Sequence, residues 1–306
     1  MFNVECWMFL FLFVAPLHFI RAVTIVLTPV ADTTLIENSP TNNMGGTNYF
    51  NAGSNMHGER NRAVLRFDLA GAIPAGSKIK TVTNLFTVMQ SPADMPASSI
   101  FDLHRLLTPW GEGDKTTSGM GAGRGAPATT NEATWLDRFA FANAPWTSPG
   151  AAATNDFMAA SSAEQFIVDA GSSPYNFTSG QLVADVQFWL DNPPANFGWL
   201  LKTRDETTPS TARRFASRED TNNAPQLVIE FIAPPQINGA QISGNQMRFN
   251  FLEEAGQSYT VQFRDSFSPA NAWATLTNIS APSADTNAMV FDGLGGSKRF
   301  YRVFAP

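Results

Sequence analysis

Apolar and polar residues alternate with a period of two along much of this chain, which predicts antiparallel strands with one buried face. In 61–69, Ala63, Leu65, Phe67 and Leu69 share one side, and Arg62, Arg66 and Asp68 share the other. In 197–204, Phe197, Trp199 and Leu201 oppose Lys202 and Arg204; in 226–232, Leu227, Ile229 and Phe231 oppose Glu230. Segments 23–37, 78–89, 99–107 and 213–219 carry weaker versions of the same pattern. One segment breaks it. Leu182, Val183, Val186, Trp189 and Leu190 recur at helical spacing, after a capping Thr178 or Ser179 and before Pro193-Pro194. That predicts a single short helix.

Pro234-Pro235 separates this set of strands from a second. Beyond it Met247/Phe249/Phe251, Tyr259/Val261/Phe263 and Tyr301/Val303 alternate again, with glycines between them. The expected organisation is an all-β sandwich over 23–232 and a small β-sandwich over 236–306. Between Pro109 and Ala163 no period is visible. That stretch is rich in Gly, Ala and Ser, with Gly121, Gly123 and Gly125 near its centre. A loop of this length predicts either a functional loop system or partial disorder.

The N-terminus reads differently. Trp7 to Ile20 is a short, nearly unbroken apolar run followed by Arg21-Ala22. This is the pattern of a secretory signal, so residues 1–22 are predicted to be cleaved and the mature chain to be secreted. No later run approaches the ~20 apolar residues of a membrane-spanning helix. The single cysteine, Cys6, lies inside that signal, so the mature chain has neither disulfides nor thiol chemistry and must rely on apolar cores.

Charge acts mainly by exclusion. With 20 Lys and Arg against 26 Asp and Glu, the chain lacks the basic footprint of a nucleic-acid binder. Sparse charge with abundant Thr, Asn, Ser, Gly and Pro suits many short strands joined by turns.

An ordered set of short motifs runs through the larger part. It comprises Ala31-Asp32-Thr33-Thr34-Leu35, Asn43 to Gly46, Arg62-Ala63-Val64-Leu65-Arg66-Phe67-Asp68-Leu69 and Trp110-Gly111-Glu112-Gly113. Ala133-Thr134-Trp135-Leu136-Asp137-Arg138, Asn196-Phe197-Gly198-Trp199-Leu200-Leu201, Phe215-Ala216-Ser217-Arg218-Glu219 and Pro225-Gln226-Leu227 follow. Together, over about residues 24–232, they resemble the DNRLRE-type domain, a family similar to jelly-roll carbohydrate-binding modules. The resemblance implies a jelly-roll β-sandwich that binds polysaccharide, acidic polysaccharide included, without catalysis. The Gly-rich insertion between Trp110 and Trp135 departs from the family pattern. The tail, with Gln257 to Gln262, Trp273 and Arg299 to Val303, resembles fibronectin-type-III-like modules, which are generally spacers or attachment modules.

Candidate ligand contacts follow from residue chemistry. Alternation places Arg62 and Arg66 on one non-core face, Lys202 and Arg204 on another, and Arg214 and Arg218 on a third. Merged, these would form a cationic surface for uronate or sulfated sugars, because guanidinium groups bind carboxylates bidentately. The alternative is structural ion pairing with Asp68, Glu219 or Glu230. Trp110, Trp135 and Trp146 are candidates for stacking on sugar rings, or for burial. Trp189 and Trp199, on apolar faces, are expected in the core. Asp32, Glu37 and Asp114 are candidates for a structural calcium site of the kind jelly-roll modules hold, or ordinary turn carboxylates.

Catalysis is not expected. His57 and His104 fall in no metal or triad motif, and strand alternation sends His104 and Arg105 to opposite faces. Glu112 with Asp114, or Asp205 with Glu206, could be proposed as a glycosidase pair, a chemistry that depends on a separation sequence does not set. The function expected is a secreted, non-catalytic carbohydrate-binding protein. The alternatives are a structural or adhesive exoprotein and a polysaccharide lyase or hydrolase.

Overall fold

A computed structural model describes residues 22–93, 96–117, 123–268, 272–295 and 298–305 of the chain. The predicted signal segment therefore lies outside the described residues, apart from Ala22. The chain divides into two compact units that meet at Pro234/Pro235.

The larger unit is an all-β sandwich. Its smaller sheet has four antiparallel strands in the order Val23–Leu27, Gln226–Ile232, Lys78–Phe86 and Tyr175–Thr178. The larger sheet runs Ala163–Ile167, Ser99–Arg105, Trp199–Thr203, Arg60–Phe67, Tyr49–Ser54, Arg213–Ala216 and Val88–Gln90. Pro29–Ile36 also pairs with Arg60–Phe67. The residues that alternation turned inward meet between the two sheets: Leu65, Phe67, Leu201, Leu227 and Ile229 share one core with Phe86, Phe101 and Phe215. Trp189 and Trp199 lie in that core with ring centroids 4.4 Å apart.

The helix spans Gly180–Asp191, and the Ser179 hydroxyl accepts a hydrogen bond from Leu182 N to cap it. Leu182, Val186 and Trp189 are the face it buries. Its Asp185 is buried as well, accepting from Trp199 Nε1 at 3.0 Å and pairing with Arg105 at 3.3 Å. The proline pair that follows forms a short 3-10 turn, because proline lacks the N–H needed to continue the helix.

The smaller unit is built from two three-stranded sheets. One is Asn238–Ser243, Gln246–Glu253 and Thr286–Gly293; the other is Ala274–Ile279, Tyr259–Arg264 and Phe300–Phe304. Phe249, Phe251, Tyr259, Val261, Val290 and Val303 form its core.

Candidate functional site

The face of the larger sheet that alternation leaves outside the sandwich is not open. The segment expected to be a loop system or disordered is, in its described part, a folded cap with a core of its own. Trp110, Trp135, Trp146, Ala133, Ala151 and Phe157 pack there against Val64 and Leu200 of the sheet. How the cap satisfies its backbone explains why an ordered segment shows no period; Gly121, near its centre, lies outside the described residues. Side chains supplement two short ladders, Asn42–Asn43 with Ala126–Pro127 and Asp137–Phe139 with Ala144–Pro145. Asn43, fully buried, donates to Ala133 O at 2.9 Å and accepts from Gly45 N at 2.9 Å. Asp156 accepts from Thr147 N at 2.9 Å and Ala152 N at 2.7 Å, and Glu132 accepts from Thr129 N at 2.6 Å. Carboxylates and amides that cap backbone donors hold an irregular chain without producing any period.

The three tryptophans suggested as stacking platforms are therefore cap core. Trp110, Trp135 and Trp146 are only 4%, 3% and 3% exposed. Trp110 Nε1 donates to Phe197 O and Trp146 Nε1 to Thr134 O, both at 2.9 Å. None of the three offers a ring face to a sugar.

The cations do not merge into one open surface either. Arg62 is buried beneath the cap, bidentate to Glu206 at 2.7 Å and 2.7 Å, and donates to Gly150 O and Ala151 O at 2.6 and 2.9 Å. Lys202 lies 3.7 Å from the same Glu206, and burial pushes its amine below the usual lysine range. Arg204 is bidentate to Asp102, at 3.0 and 2.7 Å, and also contacts Glu164. Arg218 pairs with Glu112 and Glu219. Of the partners foreseen from sequence, only Glu219 is among these. Arg66 is half-buried, with no ion pair among the described residues.

Each of the proposed calcium ligands is engaged by other groups. Asp32 is buried, accepts from Arg218 N at 2.8 Å, and sits near Glu112 and Glu219; burial and those two charges push its carboxyl well above the usual range. Glu112 is also pushed up by burial, against the pull of Arg218. Glu37 binds Arg60, which holds it below the usual carboxylate range, and Asp114 pairs with Lys115. Among the described residues no group of three His, Cys, Asp or Glu is placed to hold a metal ion. His57 is exposed on a turn, whereas His104 is buried on Phe157 with Nδ1 2.9 Å from Met158 O. Burial pushes the His104 ring below the usual histidine range. Arg105 turns the other way, onto Phe188 and Asp185.

Arg214 differs from the other candidates. Its guanidinium lies over the Tyr49 ring, 3.8 Å from the centroid, with no carboxylate partner among the described residues. The register sets Arg214 beside Asn51 on one neighbouring strand and Gln90 on the other. These side chains, with Ser91 and Pro92, line a shallow basin of about 150 Å³. Ser91 Oγ and Arg214 Nε are buried there without hydrogen-bond partners among the described residues.

The neighbouring Arg213, which sequence reasoning passed over, anchors this strand. It is 1% exposed and donates to the carbonyls of Ala97 at 2.8 Å, Val168 at 2.6 Å, and Thr211 and Ala212 at 3.0 Å. Its signal was the Arg213-Arg214 doublet itself, since alternation must turn one of the two inward. A larger cleft of about 370 Å³ is lined mainly by apolar groups, including Leu69, Ile73, Trp189 and Leu190, and has no cation.

No protein-family model matches this chain, and no curated protein matches it.

Proposed function

We propose that this is an exported, non-catalytic carbohydrate-binding protein whose large unit contacts an acidic glycan through the Arg214 basin. The observation that carries this reading is the guanidinium of Arg214, held over the Tyr49 ring and left without a carboxylate among the described residues while most of the neighbouring cations are neutralised. A planar guanidinium can take a uronate carboxylate in two parallel hydrogen bonds. The Asn51 and Gln90 amides beside it suit sugar hydroxyls as both donors and acceptors. Export rests on the apolar run of residues 7–20 and the Arg21-Ala22 that follows it.

The test is affinity for short alginate or pectate oligomers, with neutral glucan as control, for the wild type and Arg214→Gln. A charge-assisted hydrogen-bond pair is worth about 1.5–3 kcal/mol. The variant should therefore bind roughly 10- to 100-fold more weakly, with an unchanged melting temperature. Equal affinity in the two proteins would remove Arg214 from the site. One observation favours a second reading, a structural exoprotein without a glycan: Arg62 beneath the cap and Arg204 on the same sheet are neutralised internally, by Glu206 and by Asp102 with Glu164. Absence of binding to every glycan tested would select it.

A further inference from the structure

The small unit carries an alternating stack of rings and guanidiniums on one sheet face. In order these are Phe267, Arg264, Trp273, Arg302 and Phe304. Arg264 lies 3.9 Å from the Phe267 centroid and 4.5 Å from that of Trp273. Arg302 lies 4.5 Å from the Trp273 centroid and 5.5 Å from that of Phe304. The register explains the assembly. Arg264 and Gln262 share one side of the central strand, and Gln262 faces Arg302 across the pair with Phe300–Phe304. Both cations are thus within 4.5 Å of one indole, so they cannot be further apart than twice that distance.

Two like charges this close are ordinarily stabilised by a carboxylate. Here neither Arg264 nor Arg302 has an ion pair among the described residues, whereas Arg299 in the same unit holds both Asp265 and Asp292. Among the described residues Arg302 donates only to the neutral Oε1 of Gln262, and Arg264 Nε is buried without a partner. Desolvation and the charge of Arg264 both push the Arg302 guanidinium below the usual arginine range. The rings orient and partly desolvate the cations but do not neutralise them. The same face presents Thr260 and Asn278, hydrogen-bonded to each other at 3.0 Å, as neutral polar groups beside the stack.

We propose that this face of the small unit binds an anionic polysaccharide, with Arg264 and Arg302 taking carboxylate or sulfate groups on one strand of the polymer. The chemistry favours a glycan over other polyanions. Nucleic acid affinity at physiological salt needs many neutralised phosphates, and this face offers two cations on a chain of formal net charge −6. The amide and hydroxyl groups flanking the stack suit sugar hydroxyls. The surface stands on its own observations and does not depend on the Arg214 basin.

Trp273 supplies a local readout. The other described tryptophans are at most 4% exposed, so acrylamide reaches Trp273 preferentially. Full-length protein is titrated with a mannuronate hexamer, dextran sulfate, maltohexaose, a dT12 oligonucleotide and polyglutamate. The uronate or the sulfated glycan should shield Trp273 from quenching at low salt, and the shielding should fade at high salt as charges are screened. Arg264→Gln with Arg302→Gln should weaken it at least ten-fold, while Arg60→Gln, at a surface cation of the large unit paired with Glu37, leaves it unchanged. If that double variant loses its cooperative melt, Arg264→Lys with Arg302→Lys keeps the charge but not the planar fork, and should still bind several-fold more weakly. Absence of shielding by either glycan, equal shielding in the substituted protein, or stronger shielding by the oligonucleotide or polyglutamate would overturn the proposal.

Discussion

Removing Arg62 tests whether the sheet face beneath the cap is structural. Its side chain is 9% exposed and that of its partner Glu206 is 15% exposed, so the pair is nearly dry. Arg62→Met would leave the Glu206 carboxylate without its bidentate partner and free two cap carbonyls, those of Gly150 and Ala151. Breaking one side of a buried pair costs about 3–5 kcal/mol. Lys202, 3.7 Å from Glu206, survives the change and places the expected loss near the lower end, at about 3 kcal/mol. For a unit of this size that is a fall of roughly 6–12 °C in melting temperature. The exposed Arg60–Glu37 pair, with side chains 38% and 29% exposed, is the control. Its loss should cost under about 1 kcal/mol. Urea unfolding followed by tryptophan fluorescence reports the large unit, because its five tryptophans are buried. Replacing both partners, Arg62→Met with Glu206→Met, should recover most of the stability, since no orphaned charge remains. A loss below about 1 kcal/mol for Arg62→Met, or a double variant no better than the single one, would refute the assignment of Arg62 to structure.

Two further outcomes are expected. Asp32 has a folded pKa raised by burial, so its native state holds a proton that the unfolded chain releases earlier, and its contribution to stability is lost as pH rises through the folded pKa. Asp32→Asn keeps an oxygen for Arg218 N and should gain on the wild type as pH rises above the unfolded Asp pKa of about 3.9, until the raised folded pKa is passed; a pH-independent difference in melting temperature contradicts this. Gly150 has φ +84° and a Cβ there would lie 2.5 Å from the Trp135 ring, so Gly150→Ala should cost about 2–4 kcal/mol in urea unfolding and loosen the cap to proteolysis; a neutral effect would mean the cap does not rest on that contact.

Much of the sandwich was readable in the chain. A period of two is a local property of the backbone, so Ala63, Leu65, Phe67, Leu227 and Ile229 declared which way they point without knowledge of their neighbours. The helix was legible for the same reason, from its spacing, its Ser179 cap and the prolines behind it. Alternation also stated correctly that Arg62 leaves the core between the sheets. It could not state what Arg62 meets on the other side, because that depends on which distant segments the topology brings there.

Glu206, 144 residues further on, and the cap carbonyls turn an apparently free cation into a buried pair. The cap was illegible because its order comes from Asn43, Glu132 and Asp156 satisfying backbone groups at irregular intervals. The Arg264–Trp273–Arg302 stack is of the same kind. No local pattern marks the three as a group, and only the pairing of three strands sets two arginines against one indole. Which side of a strand a residue occupies is written in the local chain. Whether that side is solvent, a carboxylate or a second core is decided by contacts far apart in sequence, which only the tertiary structure supplies.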